Sequence, residues 1–158
     1  MTGTKVFAVG DVPEANTTSY PAPFRAGVEK RHARRLAAHA GLTHFGVNLV
    51  RVEPGGISSQ RHWHSNADEF VMLLEGELVL ETDSGARTLG PGMCAAFPAG
   101  SGDAHRFVNR SSRDATFVVV GDRSPVPGDE VDYPDIDMVL RPGPDGQNVF
   151  LRRDGTKW

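Results

Sequence analysis

His62 and His64 stand one residue apart in RHWHSNADEF, and Glu69 follows five residues after His64. On an extended strand, side chains alternate between faces, so the two histidines point one way and Trp63 the other. Ser58 and Gln60 share the histidine face. The turn SNAD then reverses the chain, and a hairpin brings Glu69 back beside the imidazoles. A third histidine, His105, opens the strand-like HRFVN, where Phe107 and Asn109 share its face. Three imidazoles and a carboxylate converging in this way make a site for one divalent transition metal; Mn, Fe, Co, Ni, Cu and Zn all suit such nitrogen and oxygen donors.

A His-x-His pair alone is weak evidence for a metal. Glu69 carries more weight, because a carboxylate turned into a barrel costs several kcal/mol to bury unless positive charge meets it. A metal supplies that charge. The alternative leaves Glu69 exposed or paired with Arg61, but strand alternation turns Arg61 away from the histidines.

The elements that must position these groups are strands. From Gly46 onward, short apolar runs alternate with turns rich in Gly, Pro, Asp and Ser. The expected strands are VNLVRV (47–52), SSQRHWH (58–64), EFVMLL (69–74), ELVLET (77–82), ARTL (86–89), MCAAF (93–97), HRFVN (105–109) and ATFVVV (115–120). Their spacing predicts an all-β antiparallel barrel or sandwich, since no gap after residue 46 can hold the crossover helix a parallel sheet needs. Before the barrel, residues 1–45 read as an arm with a short strand near Val6 and a helix over 28–40. Leu36, Ala37 and Ala40 lie on the inner side of that helix, Gly41 caps it, and His32 and His39 are exposed. Residues 46–121 read as the barrel core. Residues 122–158 read as a tail that wraps the barrel or a partner subunit, with NVFLRRDG as a last strand. The whole makes one domain, as 158 residues suit.

The net charge of −3 argues against nucleic acid as the main partner, because a phosphate-reading surface needs a basic excess. The basic run EKRHARR (29–35) reads as a solvated helix face. Cys94 is the single cysteine and reads as a buried structural thiol, so no intrachain disulfide is expected. The N-terminal stretch lacks a signal-peptide core, and no apolar run approaches a membrane span. The expectation is a cytoplasmic protein with no membrane partner.

Gly56 to Gly76, GISSQRHWHSNADEFVMLLEG, resembles the first cupin motif: Gly, five residues, His-x-His, four residues, Glu, six residues, Gly. Gly92 to Asn109, GMCAAFPAGSGDAHRFVN, resembles the second, with a Pro-x-Gly to His spacer of four residues, two longer than usual. The resemblance implies a double-stranded β-helix, or jelly-roll barrel, and a metal held by His62, His64, Glu69 and His105. Such a ligand set leaves one or two coordination positions for water, substrate oxygen or dioxygen. Asp103 reads as a surface-loop residue, with a place beside His105 as the alternative. GLTHFGVNLVRVEPGG, VVVGDRSPVPGDEV and YPDIDM resemble small bacterial cupins labelled as sugar-phosphate isomerases. That likeness implies a homodimer and a small metalloenzyme acting on a small polar substrate. The alternatives are an Fe(II) dioxygenase and a ligand-binding or sensor module without turnover. A phosphate would need a cation near the pocket; Arg51 and Arg106 are the candidates. Gly56, Gly76, Gly92 and Gly100 are expected at turns with positive φ, Pro98 at a strand end, and Asn109 as a turn-fixing residue.

Overall fold

The computed structural model describes residues 4–122 and 126–158. Strands β1 (Arg31–Arg35), β2 (Phe45–Val52), β4 (Glu69–Glu75), β7 (Cys94–Phe97) and β9 (Ala115–Asp122) form one antiparallel sheet in the order β1-β2-β9-β4-β7. Strands β5 (Leu78–Thr82), β6 (Gly85–Leu89) and β8 (Arg106–Val108) form a second, ordered β6-β5-β8. Between them Val50, Val52, Val71, Leu73, Leu78, Leu89, Phe107, Ala115 and Phe117 make the core. Period-2 alternation places these residues: Val71 and Leu73 are buried while Phe70 and Leu74 face outward. The result is the all-β jelly-roll barrel, with antiparallel pairing throughout.

The tail continues the barrel. Strands β10 (Val131–Tyr133), β11 (Met138–Pro142) and β12 (Asn148–Leu151) join β3 (Trp63–His64) in a third sheet, ordered β12-β11-β10-β3. A second cluster of Val131, Tyr133 and Met138 packs there against Tyr20 and Phe24 from the arm.

Several expectations require correction. The helix over 28–40 is instead a 3-10 turn at Val28–Lys30, strand β1, and a five-residue helix α1 (Leu36–Ala40). The open edge of β2 explains the difference. Five register pairs with β2, from Arg31 opposite Val52 to Arg35 opposite Asn48, outweigh local helix propensity. The basic run is therefore an edge strand, not a helix face. His32 is half-buried against Glu53 at 2.6 Å, whereas His39 is exposed. Gly41 does cap the helix, with φ 78° and its N–H donating to Ala38.

Val6 lies in no strand and is 94% exposed, having no sheet edge to pair with. Of residues 58–64 just Trp63 and His64 are regular strand. The segment before them is tied to the neighbouring chain by isolated bridges, Ile57 to Val108 and His62 to His105. Cys94 is exposed, because Met93, Ala95 and Phe97 take the inner positions of that stretch. Gly56 lacks positive φ; an added Cβ there would crowd Val52 Cγ1 at 2.9 Å, and Gly55 carries the turn. Pro98 follows β7 directly, and Asn109, fully buried, donates to the carbonyls of Val52 and Arg113. No described helix is long and apolar enough to cross a membrane.

Gly76 joins β4 to β5 at φ 78°, and a Cβ there would lie 2.5 Å from the Asp114 carbonyl oxygen. Gly76→Ala is expected to lower the unfolding free energy by about 2–3 kcal/mol, from left-handed strain and the clash together. Urea denaturation checks this; a loss below about 0.5 kcal/mol, the level of an ordinary surface change, would show that the turn yields freely.

Candidate metal centre

Across the five-stranded sheet, one row of paired positions runs Gly46, Gly121, Glu69, Phe97. Paired residues share a face, and two of these four have no side chain. The space left over is part of a cavity of about 390 Å³. Gly121 is also required by close approach, since a Cβ there would meet the Asp68 carbonyl oxygen at 2.9 Å. Glu69 projects into this space. Phe97 stacks on the His105 ring, with centroids 3.5 Å apart and planes 7° from parallel.

His62, Glu69 and His105 bring ligand atoms within 4.8 Å of one another. Backbone pairing sets the two histidines. His62 N–H donates to the His105 carbonyl at 3.1 Å, and His105 N–H donates back at 2.8 Å. The four-residue spacer before His105 loops outward without disturbing this register. Asp103 on that loop is exposed and accepts the Asp83 N–H, so it has the surface role.

The protonation of each ring follows from its partners. His62 Nδ1 lies 2.9 Å from the Gln60 carbonyl oxygen, which can only accept, so Nδ1 carries the hydrogen and Nε2 keeps its lone pair. Burial pushes the His62 pKa down to about 4 despite the pull of Glu69, so the ring is neutral at pH 7. Burial alone would raise the Glu69 pKa, but His105, His62 and His64 outweigh it and hold the carboxyl below its usual value. His105 is buried, and neither of its ring nitrogens has a hydrogen-bond partner; Nε2 stands 3.6 Å from Glu69 Oε2, beyond a normal bond. An orphaned, buried Nε2 facing an ionised carboxylate is a donor pair that a divalent cation would satisfy.

His64 lines the same cavity, its ring centroid 5.2 Å from that of His62, but it stands outside the tight three-residue group. Its Nδ1 donates to Asp129 Oδ2 at 2.8 Å. Asp129 is itself buried and also accepts the Asn66 N–H at 2.9 Å. Sequence reasoning missed Asp129, which lies 65 residues beyond His64 in the tail. The pairing of β10 with β3, Val131 opposite His64, brings it there.

The candidate cations Arg51 and Arg106 are both engaged elsewhere. Arg51 pairs with Glu14 and Asp114, each at 2.8 Å, and Arg106 with Glu81 at 2.7 Å. Arg61 points away as expected and pairs with Asp135 and Asp83. The arginine that does line the cavity is Arg31, whose strand position was hidden by the helix reading.

Comparison with known proteins agrees with this architecture. Residues 48–121 match a family model described as a cupin domain. A crystal structure from Silicibacter pomeroyi DSS-3, described as a sugar phosphate isomerase from a cupin superfamily, is 43% identical; the alignment covers 98% of this chain and 96% of that one, with a TM-score of 0.90. This chain belongs to the cupin superfamily. A second structure, from Acidithiobacillus ferrooxidans and named as a candidate sugar phosphate isomerase, is 27% identical over 81% of this chain and 80% of its own, with a TM-score of 0.71. The polyketide cyclase RemF from Streptomyces resistomycificus is 25% identical over 76% of this cupin and 80% of its own chain, with a TM-score of 0.64. No curated protein sequence matches the chain.

The depressed His62 pKa makes this cupin's metal-free stability depend on pH. An unfolded histidine titrates near 6.5, and His62 in the folded chain near 4. Between those values the unfolded chain binds a proton that the folded chain does not, so stability rises with pH. Acidifying the chelated protein from about 6.5 to about 4 is expected to remove about 2–3 kcal/mol through this group. Urea midpoints across that window test it: His62→Asn should flatten the slope, and an unchanged slope would reassign the effect.

Proposed function

We propose that this cupin is a metal-dependent enzyme acting on a small polar substrate, with an isomerase-like reaction. His62, His64, Glu69 and His105 would hold one divalent transition metal. The observation that carries the reading is His105, buried with both ring nitrogens unpartnered and with Nε2 3.6 Å from Glu69 Oε2. The sugar phosphate isomerase names of the Silicibacter and Acidithiobacillus proteins support the reaction class.

The surroundings prepare each ligand. The Gln60 carbonyl and Asp129 hold the Nδ1–H tautomers of His62 and His64, which leaves both Nε2 atoms as donors. A carboxylate behind a ligating histidine is the usual supporting partner and raises its basicity. Phe97 fixes the plane of His105. A bound divalent ion would supply Lewis-acid polarisation of a substrate carbonyl oxygen. An aldose–ketose isomerisation would move one proton from C2 to C1 and one from the C2 hydroxyl to the C1 oxygen, with no external oxidant or reductant. Tyr20 lines the cavity and burial raises its pKa, which keeps the phenol protonated as a donor. Asp68 and Asp122 line the same cavity and are the carboxylates, besides Glu69, available there to accept a proton.

Elemental analysis of the purified chain is expected to find one transition metal per chain, lost in His105→Ala. Asp129→Asn should weaken metal affinity about 10–100-fold while the fold persists. Chelation should abolish turnover of aldose and ketose phosphates, and metal should restore it. Absence of metal from the folded protein would sink the reading; saturable binding without product would select the non-catalytic ligand-binding alternative.

The homodimer is proposed on the outer face of the larger sheet, where Phe70 and Leu74 are 41% and 39% exposed beside the exposed Cys94 and Ala96. A second copy would remove this apolar surface from water. Light scattering should give a dimer mass for the wild type and a monomer mass for Phe70→Asp. A monomeric wild type would refute the assembly.

A further inference from the structure

Strand β1 divides its positive charge between two faces. His32 and Arg34 turn outward and meet carboxylates: His32 approaches Glu53 at 2.6 Å, and Arg34 approaches Glu14 at 3.9 Å. Arg31, Ala33 and Arg35 occupy the alternate face, opposite Val52, Val50 and Asn48 of β2. Val50 and Val52 belong to the core, so this face looks into the barrel. Among the described residues, neither Arg31 nor Arg35 forms an ion pair. Arg31 Nη1 reaches the Ser58 carbonyl at a long 3.4 Å, and its buried Nε has no hydrogen-bond partner.

An interior guanidinium stays charged and is costly to hold without a counter-charge. The charges near Arg31 do not resolve this. Glu69 acts on it at a distance, but in the proposed function that carboxylate is a metal ligand, and its charge is then met by the cation. Asp68 and Asp122 line the same cavity, each already accepting a backbone N–H, from Ala99 and Asp68 respectively. A groove of about 440 Å³, lined by both Arg31 and Arg35, adjoins the cavity and shares Asn48, Val119 and Asp122 with it. Arg31 therefore stands where the two spaces meet, and Arg35 adds positive potential further out.

We infer that Arg31 is the oxyanion-holding residue of this cavity, so that the molecule accepted beside His62, Glu69 and His105 carries an anionic end, a phosphate in preference to a carboxylate. Arg31 lines both spaces, and the planar fork of its guanidinium matches phosphate oxygens by paired, charge-assisted hydrogen bonds, while the second arginine favours a dianion over a monoanion. Arg31 thereby discriminates phosphorylated from neutral ligands. The inference rests on the proposed function for which end of the ligand reacts, but the oxyanion contact itself requires no metal.

The test is calorimetric titration of the full-length chain with inorganic phosphate and, separately, acetate, with chelator present throughout. Saturable phosphate binding is expected, weakened at least about tenfold in Arg31→Met, with circular dichroism confirming that the variant is folded. Arg31→Lys keeps the charge but loses the planar fork, so it should bind several-fold more weakly than wild type. If Arg31→Met does not fold, Arg31→Lys decides by the same criterion. Absence of saturable phosphate binding, or unchanged affinity in the folded variant, overturns the inference. Acetate binding as tightly as phosphate overturns the choice of phosphate. Because no metal is present in these titrations, phosphate binding that depends on Arg31 stands even if elemental analysis refutes the metal reading, and the two failures remain distinguishable.

Discussion

A carboxylate turned into the barrel constrains everything around it. Glu69 sits on a strand whose alternation leaves it no outward option: Val71 and Leu73 on its face are core residues, and Phe70 on the other face is exposed. An ionised group in that position needs compensating positive charge within a few ångströms, which the neutral His62 ring does not carry and a cation held between the ligands would. The imidazoles of His62 and His105 come from neighbouring segments that are hydrogen-bonded to each other, so cluster geometry is inherited from backbone register. Gly46 and Gly121 in the adjacent row leave the carboxylate facing open space instead of packed side chains. The barrel buries a charge and keeps a chamber in front of it.

The core strands do not complete that chamber alone. Tyr20 comes from the arm, Arg31 from the edge strand β1, and Asp129 from the turn before β10. The arm and tail are also packed on each other, with Tyr20 against Tyr133 at 5.8 Å and Phe24 against Trp158 at 4.8 Å between ring centroids. Both contacts lie beyond the region matched by the cupin family model, residues 48–121. The groups that shape, charge and line the mouth of the barrel are therefore delivered in part by segments outside residues 48–121.

The parts of this architecture legible in the sequence were those with short-range signatures. The strands over 47–52, 69–74, 86–89 and 115–120 follow from apolar alternation bounded by turn residues, and the structure places strands there. The close approach of His62, Glu69 and His105 followed from residue spacing and the likeness to two cupin motifs. Less legible was any element held by distant partners. Residues 31–35 carry a helix-compatible composition, yet become a strand because β2 offers an open edge. Residues 58–62 alternate like a strand, yet Ser58 and Gln60 spend their polar groups on Phe107 and Phe24, and regular pairing begins at Trp63. Arg31 was hidden by the same error that hid its strand.

By itself, the sequence determined which face of each core strand turns inward, and so which histidines and which carboxylate could meet. Side-chain alternation is a local property of extended backbone, and turn residues mark where it restarts. Tertiary structure alone decided that Asp129 supports His64 across 65 residues, that Arg31 enters the cavity while Arg51 and Arg106 are paired elsewhere, and that Cys94 faces outward. Those outcomes depend on which distant strand edge pairs with which, and pairing is settled by the summed burial and hydrogen bonding of whole strands. No window of neighbouring residues contains that information.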